Sequence, residues 1–241
     1  MLVLGAIWSA PLSAVPPELV PAMSALDRAY IPALGLSGQS GDLARARKAF
    51  LAFEKAWEDF RERFAGQPDF DHEWSRDLAG VQEAVEESRA ALMDNSNGPA
   101  AHEALERVRM ILLGSRARQK IPYFLDSLTL FHNFMEDLLQ EAPAGKLAEW
   151  GEAEKLGFTA DLEVCLALWK KAKAREGLLP QAELPAKAVE AYVLQWQAID
   201  GLLNQIRGAL ATRDEAALRA ALKQLKPNFV QTFFLFGDFP G

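Results

Sequence analysis

Apolar side chains recur at alternating intervals of three and four residues along most of the chain, which is the period of an amphipathic α-helix. Residues 43–65 carry the clearest stripe, and arginine, lysine and glutamate fill the other faces of that segment. The stripe consists of Ala46, Phe50, Phe53, Trp57, Phe60 and Phe64. No strand-like alternation of useful length interrupts this pattern. We therefore predict an all-α fold of about seven or eight helices.

Glycine, proline and small polar residues mark the ends of the predicted helices. These helices cover residues 17–36, 43–65, 72–93, 100–113, 121–140, 155–175 and 186–210, and a last one runs through Leu218, Leu222, Leu225 and Phe229. We expect Pro32 to kink or end the first helix and Asp42 to cap the second. Thr212-Arg-Asp-Glu215 fits a capping box at the start of the last helix. Short turns and heptad-like spacing favour antiparallel up-and-down bundles.

An aromatic segment occurs twice at a constant offset, as Pro122–Phe134 and as Pro227–Phe239. Repetition of a segment is typical of a duplicated architecture. The best boundary between the copies is the proline- and glycine-containing stretch at residues 142–145. We therefore predict two internal helical repeats, residues 17–141 and residues 146–241. The prolines at the start of each aromatic segment are expected to bend a helix.

The aromatic segments carry the main functional hypothesis. The last helix has little polar face, and a helix that is apolar all round is either buried or docked against another molecule. We expect the rings to pack between the repeats and to form the surface that engages an apolar ligand, a protein partner or an identical subunit. The residues concerned are Phe124, Phe131, Phe134, Phe229, Phe233, Phe236 and Phe239.

The stretch from Ile199 to Lys226, rich in alanine and leucine, resembles the last hairpin of cytochrome b562-type four-helix bundles. Residues 27–57 are similar in rhythm. The resemblance implies a four-helix bundle and an exported setting. Those cytochromes hold haem between a methionine early in the first helix and a histidine late in the last, and Met23 and His132 are the residues here that this would involve. The matching last helix of this chain has phenylalanines in place of the histidine.

Histidine and glutamate lie four residues apart at His132 and Glu136, and again at His102 and Glu106. This spacing places an imidazole and a carboxylate on one helix face, an arrangement that transition metals accept. Pairing on a helix surface is the other interpretation. The alternative function is therefore a haem- or metal-binding bundle for electron transfer or metal handling, with His132, Glu136 and Met23 as its candidate ligands.

The chain has 241 residues and a net charge of −7, which disfavours binding to nucleic acid or to an anionic membrane surface. One basic cluster, Arg107, Arg109, Arg116, Arg118 and Lys120, is expected to be a solvated helix face or a contact for an acidic partner. The single cysteine, Cys165, excludes an internal disulfide and is expected to be buried. No segment has the ~18–20 apolar residues of a membrane span.

Residues 1–14 are apolar, uncharged and end in small residues, a pattern that resembles the later part of a secretory signal peptide. Residues 1–16 are thus expected to be either such a signal or an apolar N-terminal arm. A signal predicts a periplasmic or secreted protein, and the other expected location is the cytoplasm. No nucleophile motif, phosphate loop or dinucleotide fingerprint is present. The sequence therefore predicts a non-enzymatic, exported helical binding or scaffold protein without a cofactor.

Overall fold

The computed structural model describes residues 15–38, 42–67, 70, 72–143 and 145–241. Within these ranges the regular structure is helical and no strand occurs, which confirms the predicted all-α class. Of the predicted signal segment, only Val15 and Pro16 belong to the described residues. No helix in the described part of the chain has the length and apolar character needed to cross a bilayer.

The described residues form eight α-helices. They are α1 (Leu19–Ser37), α2 (Leu43–Phe64), α3 (His72–Arg89), α4 (Gly98–Arg118), α5 (Phe124–Glu141), α6 (Glu152–Lys173), α7 (Ala186–Thr212) and α8 (Glu215–Phe234). A π-helical turn, Ala90–Asp94, continues α3, and 3-10 turns at Leu147–Glu149 and Glu176–Ala182 precede α6 and α7. The helical periods of the sequence therefore located every one of these α-helices, with differences of a few residues at their ends.

Apolar stripes form the core as predicted. All six members of the α2 stripe are buried, and the stripe of α7 is buried at Tyr192, Trp196, Ile199, Leu203 and Ile206. These side chains belong to one hydrophobic cluster that extends from Leu19 in α1 to Phe236 beyond α8. Because burial of apolar area is the dominant stabilising term, this continuous cluster holds the described helices together.

Two predicted helix ends need correction. Pro32 lies inside α1, which continues to Ser37, so this proline does not end the helix. Thr212 is the last residue of α7, and its hydroxyl donates to the Gly208 carbonyl (3.0 Å) instead of capping α8. The cap of α8 is Asp214, whose carboxylate accepts from the Ala217 amide at 3.0 Å. The predicted cap at Asp42 is confirmed, since it accepts from the Arg45 amide at 3.0 Å.

Consecutive helices pack as pairs: α1 with α2, α3 with α4, α5 with α6 and α7 with α8. The α1–α4 contact joins the first two pairs, and the α5–α8 contact joins the last two. In this packing α5 groups with α6–α8, although the sequence assigned it to the first repeat. The division into repeats itself stays a prediction.

The two aromatic segments differ in local structure but lie against each other. Pro122 precedes α5, so it does not bend a helix, whereas Pro227 lies inside α8. The ring of Phe124 at the start of α5 lies 5.7 Å from that of Phe236 beyond the end of α8. Further along α5, the Phe131 ring lies 5.6 Å from Phe229. The segments therefore run antiparallel, with their rings in contact.

Candidate functional site

A cleft of about 450 Å³ opens where α1 and α4 meet α5 and α8. It lies between two groups of helices, α1–α4 and α5–α8, and such a position is a common one for binding sites. The lining residues are Leu34, Gly35, Gly38, His102, Glu106, Arg109, His132, Glu136, Lys226, Phe229, Val230, Phe233 and Phe234. They form an apolar wall on α8 and a polar wall on α4 and α5.

The apolar wall depends on the close approach of α8 to α1. Phe229 and Phe233 are buried, and their rings stack 6.1 Å apart. The Phe234 ring lies over Gly35, where a Cβ would be only 2.5 Å from the Phe234 Cζ. Because any larger residue at position 35 would displace this ring, the glycine determines how the wall is shaped.

The polar wall contains both histidine–glutamate pairs, which are far apart in the sequence. His132 Nε2 lies 3.3 Å from the Glu136 carboxylate, and His102 Nε2 lies 3.7 Å from the Glu106 carboxylate. The His132 ring also stacks on Phe229, with 5.1 Å between their centres. Both pairs therefore face one cleft, although they belong to different helices.

Arg109 lies between these pairs and is buried. One of its terminal nitrogens contacts the Glu106 carboxylate and donates to His132 Nδ1 at 2.8 Å. His132 Nδ1 must then be the acceptor, so the proton of the neutral imidazole is on Nε2, facing Glu136. Arg109 Nε is buried and has no hydrogen-bond partner among the described residues. The guanidinium also lies over the Phe233 ring at 5.9 Å, so it borders the apolar wall.

Glu136 is a carboxylate of the cleft that its neighbours keep ionised. Partial burial raises the pKa of its carboxyl, but hydrogen bonds from His132 and Lys226, together with the charge of Lys226, outweigh this effect and lower the pKa to about 2. The Lys226 ammonium lies 2.9 Å from the Glu136 carboxylate and is half exposed at the edge of the cleft. Glu136 is therefore ionised and paired at neutral pH.

His102 is oriented by the end of α1. Its Nδ1 lies 2.9 Å from the Leu34 carbonyl oxygen, which can only accept, so Nδ1 carries a proton. Gly38 allows this contact, because a Cβ there would be 2.8 Å from Nδ1. In the neutral ring His102 Nε2 is then an unprotonated nitrogen with no close donor among the described residues.

A buried polar network lies behind Arg109. The Tyr123 hydroxyl donates to Asp27 at 2.6 Å, and Arg116 Nε donates to Asp126 at 2.9 Å. Desolvation raises the pKa of Asp27 and of Asp126, in both cases against the opposing effect of Arg116. Desolvation also raises the pKa of Tyr123, so its phenol stays protonated and remains a donor. This network connects α1 and α4 to α5 and to the segment before it.

The solvated helix face predicted for the basic cluster is wrong for two of its members, since Arg109 and Arg116 are buried. A signal for this was present in the sequence. Arg109 lies four residues after Leu105, and Arg116 lies four after Leu112, so both arginines continue the apolar stripe of α4. Their charge outweighed their position in the pattern, because arginine is mostly exposed in folded proteins.

The seven phenylalanines predicted as a ligand or partner surface have different environments. Phe124, Phe131, Phe229, Phe233 and Phe236 are buried, Phe134 is 41% exposed, and Phe239 is half-buried against Phe234. Only Phe229 and Phe233 of this set line the cleft. The sequence hypothesis did not include Val230, Phe234 or Arg109 as ligand contacts, because their proximity results from how α4, α5 and α8 pack.

Of the three candidate metal ligands, two lie in the cleft and one does not. His132 and Glu136 line the cleft, but Met23 is buried in the core and is not part of the lining. No group of three or more histidine, cysteine, aspartate or glutamate residues in the described ranges is arranged to hold a metal ion. Cys165 is buried as predicted, and desolvation together with Asp161 and Asp137 raises its pKa to about 12.

Comparisons of the chain with protein-family models, with curated proteins and with solved structures gave no match. The resemblance to cytochrome b562-type bundles is thus an expectation from the sequence alone.

Proposed function

We propose that this chain is a binding protein whose cleft between α1, α4, α5 and α8 takes one small ligand with an apolar body. The observation that carries the proposal is the apolar wall of Phe229, Val230, Phe233 and Phe234 facing convergent polar groups. A concave site of this size, largely apolar with a few oriented polar side chains, is typical of small-molecule binding.

The role is binding rather than catalysis. The polar groups of the cleft are mostly paired with each other, as Arg109 is with Glu106 and His132, and Glu136 with Lys226. These contacts hold the polar wall in place, and they leave no side chain arranged as a nucleophile with its base. A ligand with an apolar body would gain most of its affinity by leaving water for the α8 wall.

The test uses the uncharged fluorescent probe N-phenyl-1-naphthylamine, whose emission rises in apolar surroundings. We expect saturable binding of one probe per chain. Val230→Trp should fill the cleft and weaken binding at least roughly tenfold, because the added ring occupies the volume the probe needs. The matched control is Val193→Trp, since Val193 is 48% exposed on α7 and lies outside the cleft.

Far-UV circular dichroism would establish that both variants are folded. Equal loss of binding in both variants, or full binding by Val230→Trp, would place the probe elsewhere and contradict the proposal.

Metal handling is a second candidate, favoured by the convergence of His102, Glu106, His132 and Glu136 on one cleft. Arg109 weighs against it, because its cationic group contacts both Glu106 and His132. A metal ion at these residues would have to displace that contact or tolerate a neighbouring charge of the same sign. Thermal unfolding with added Zn²⁺, Cu²⁺ or haem separates the two functions, since a resident metal or haem site raises the midpoint.

A further inference from the structure

Arg109 presents a hydrogen-bond donor for which the described protein supplies no acceptor. Its side chain is 6% exposed, and Nε is buried without a partner. Buried donors in folded proteins are nearly always paired, because an unpaired one loses its hydration without compensation. Arg109 lines the cleft, and its Nε has no accessible surface in this structure, so a ligand acceptor that entered the cleft would pair this atom by shifting the side chain.

The charges of the lining favour an anionic acceptor over a cationic ligand. Arg109 and Lys226 contribute two positive charges, and Glu106 and Glu136 contribute two negative ones. The two histidines of the lining, His102 and His132, add no negative charge. The two cations therefore balance the two carboxylates, and the lining has no excess of negative charge that would repel an anion. Asp27 and Asp126 belong to the network behind Arg109 and do not line the cleft.

The position of Arg109 also constrains the shape of the ligand. Its guanidinium borders the Phe233 ring, so the site for an anion directly adjoins the apolar wall. A guanidinium binds a carboxylate in a planar geometry with charge-assisted hydrogen bonds. The fitting molecule thus has one carboxylate close to a compact apolar or aromatic body.

We infer that the ligand class of this cleft is a small amphipathic monocarboxylate, with its carboxylate on Arg109 and its apolar body against Phe233, Phe234 and Val230. The inference deepens the proposed function and rests on it. Glu106 then competes with the ligand for the same guanidinium.

The experiment compares 1-naphthaleneacetate with 1-naphthaleneacetamide, which have the same ring system and differ in the charge of the head group. Isothermal titration calorimetry on the full chain at neutral pH measures both affinities. We expect the carboxylate to bind roughly tenfold more tightly than the amide, because a hydrogen bond from a guanidinium to an ionised acceptor is much stronger than one to a neutral acceptor.

Variants on α4 show whether Arg109 causes this preference. Arg109→Gln should bring the two affinities together, whereas Arg107→Gln should leave their ratio unchanged, since Arg107 is half exposed and pairs with Glu87 at the surface. Glu106→Gln removes the competing carboxylate. It should raise the affinity for 1-naphthaleneacetate several-fold and leave that for the amide unchanged. A purely structural role of Arg109 would not produce such a gain.

Equal affinities of the two compounds in the wild-type chain would overturn the inference, and so would a preference that survives Arg109→Gln. Where Arg109→Gln does not fold, Glu106→Gln decides, and no gain for the carboxylate overturns the inference. Binding of N-phenyl-1-naphthylamine without binding of the carboxylate defeats this inference and leaves the proposed function standing. Failure of all three compounds to bind defeats both.

Discussion

Glu136 illustrates how two opposing effects set the charge of a single residue in this cleft. Burial alone would favour its neutral form, but the contacts with His132 and Lys226 favour the ionised form and prevail. The folded-state pKa of about 2 lies below the ordinary value of 4.5. Ionised Glu136 therefore stabilises the fold at pH values above 4.5, and this contribution is lost as the pH falls through about 2.

Glu136→Gln should lower the free energy of unfolding at pH 7 by about 1 kcal/mol, a small value because Lys226 is half exposed and its charge is screened by water. The difference between variant and wild type should shrink as the pH is lowered from 4.5 towards 2. Urea unfolding at a series of pH values measures it. Glu103→Gln, an exposed change on α4, is the control. A difference that stays constant with pH would show that the carboxylate charge contributes nothing.

In the cleft, the position of a residue in the helical pattern predicted its burial better than its residue type did. Arg109 was assigned to a solvated face because of its charge, yet its spacing from Leu105 places it on the buried stripe of α4. The His102–Glu106 and His132–Glu136 pairs were visible as helical neighbours, since a spacing of four residues is a local property. Their meeting in one cleft was not predictable in this way, because it depends on how α4 packs relative to α5.

At the scale of the helices, the sequence predicted their positions well, because amphipathic periodicity and helix caps depend on residues close together in the chain. The start of α8 shows the limit of this information. Thr212 and Glu215 fit the spacing of a capping box, but α7 extends to Thr212, and Asp214 occupies the cap instead. Thr212 and Asp214, the two candidate caps, lie on either side of Arg213, whose left-handed backbone (φ 58°) ends α7, so Asp214 is the residue placed to cap α8.

A pair of alanine substitutions separates these two assignments. Asp214→Ala should lower the free energy of unfolding by about 1 kcal/mol, because the Ala217 amide loses its acceptor. Thr212→Ala should change it by less than about 0.5 kcal/mol, since its hydroxyl only returns to a carbonyl of its own helix. Thermal unfolding followed by far-UV circular dichroism measures both. A larger loss for Thr212→Ala than for Asp214→Ala would restore the capping box.

For the whole molecule, the decisive feature is that two groups of helices share one hydrophobic cluster and one buried polar network. Contacts between distant segments create this unity. The Tyr123 hydroxyl reaches Asp27 of α1, and Asp126 of α5 accepts from Arg116 of α4. The sequence predicted that aromatic rings would pack together, but it contained no local signal for these polar pairings. Tertiary contacts of this kind determine both the grouping of α5 and the position of the cleft.

Tyr123→Phe tests how strongly the network couples the two groups. The substitution keeps the ring and removes a hydroxyl that hydrogen-bonds to the buried Asp27, so it should lower the free energy of unfolding by about 1–3 kcal/mol. Tyr192→Phe is the matched control: its hydroxyl is buried without a partner in the described part of the chain, and its loss should be neutral or slightly stabilising.

Urea unfolding read by tryptophan fluorescence and by far-UV circular dichroism measures both changes. Because the core is continuous, the two signals of the wild-type chain should coincide in a single transition, and Tyr123→Phe should move both together. Tryptophans in α2 and α3 report on one group of helices, and those in α6 and α7 report on the other. Two separate transitions, with only one of them shifted by Tyr123→Phe, would show that the groups fold independently. The cleft would then be an interface between units free to move apart.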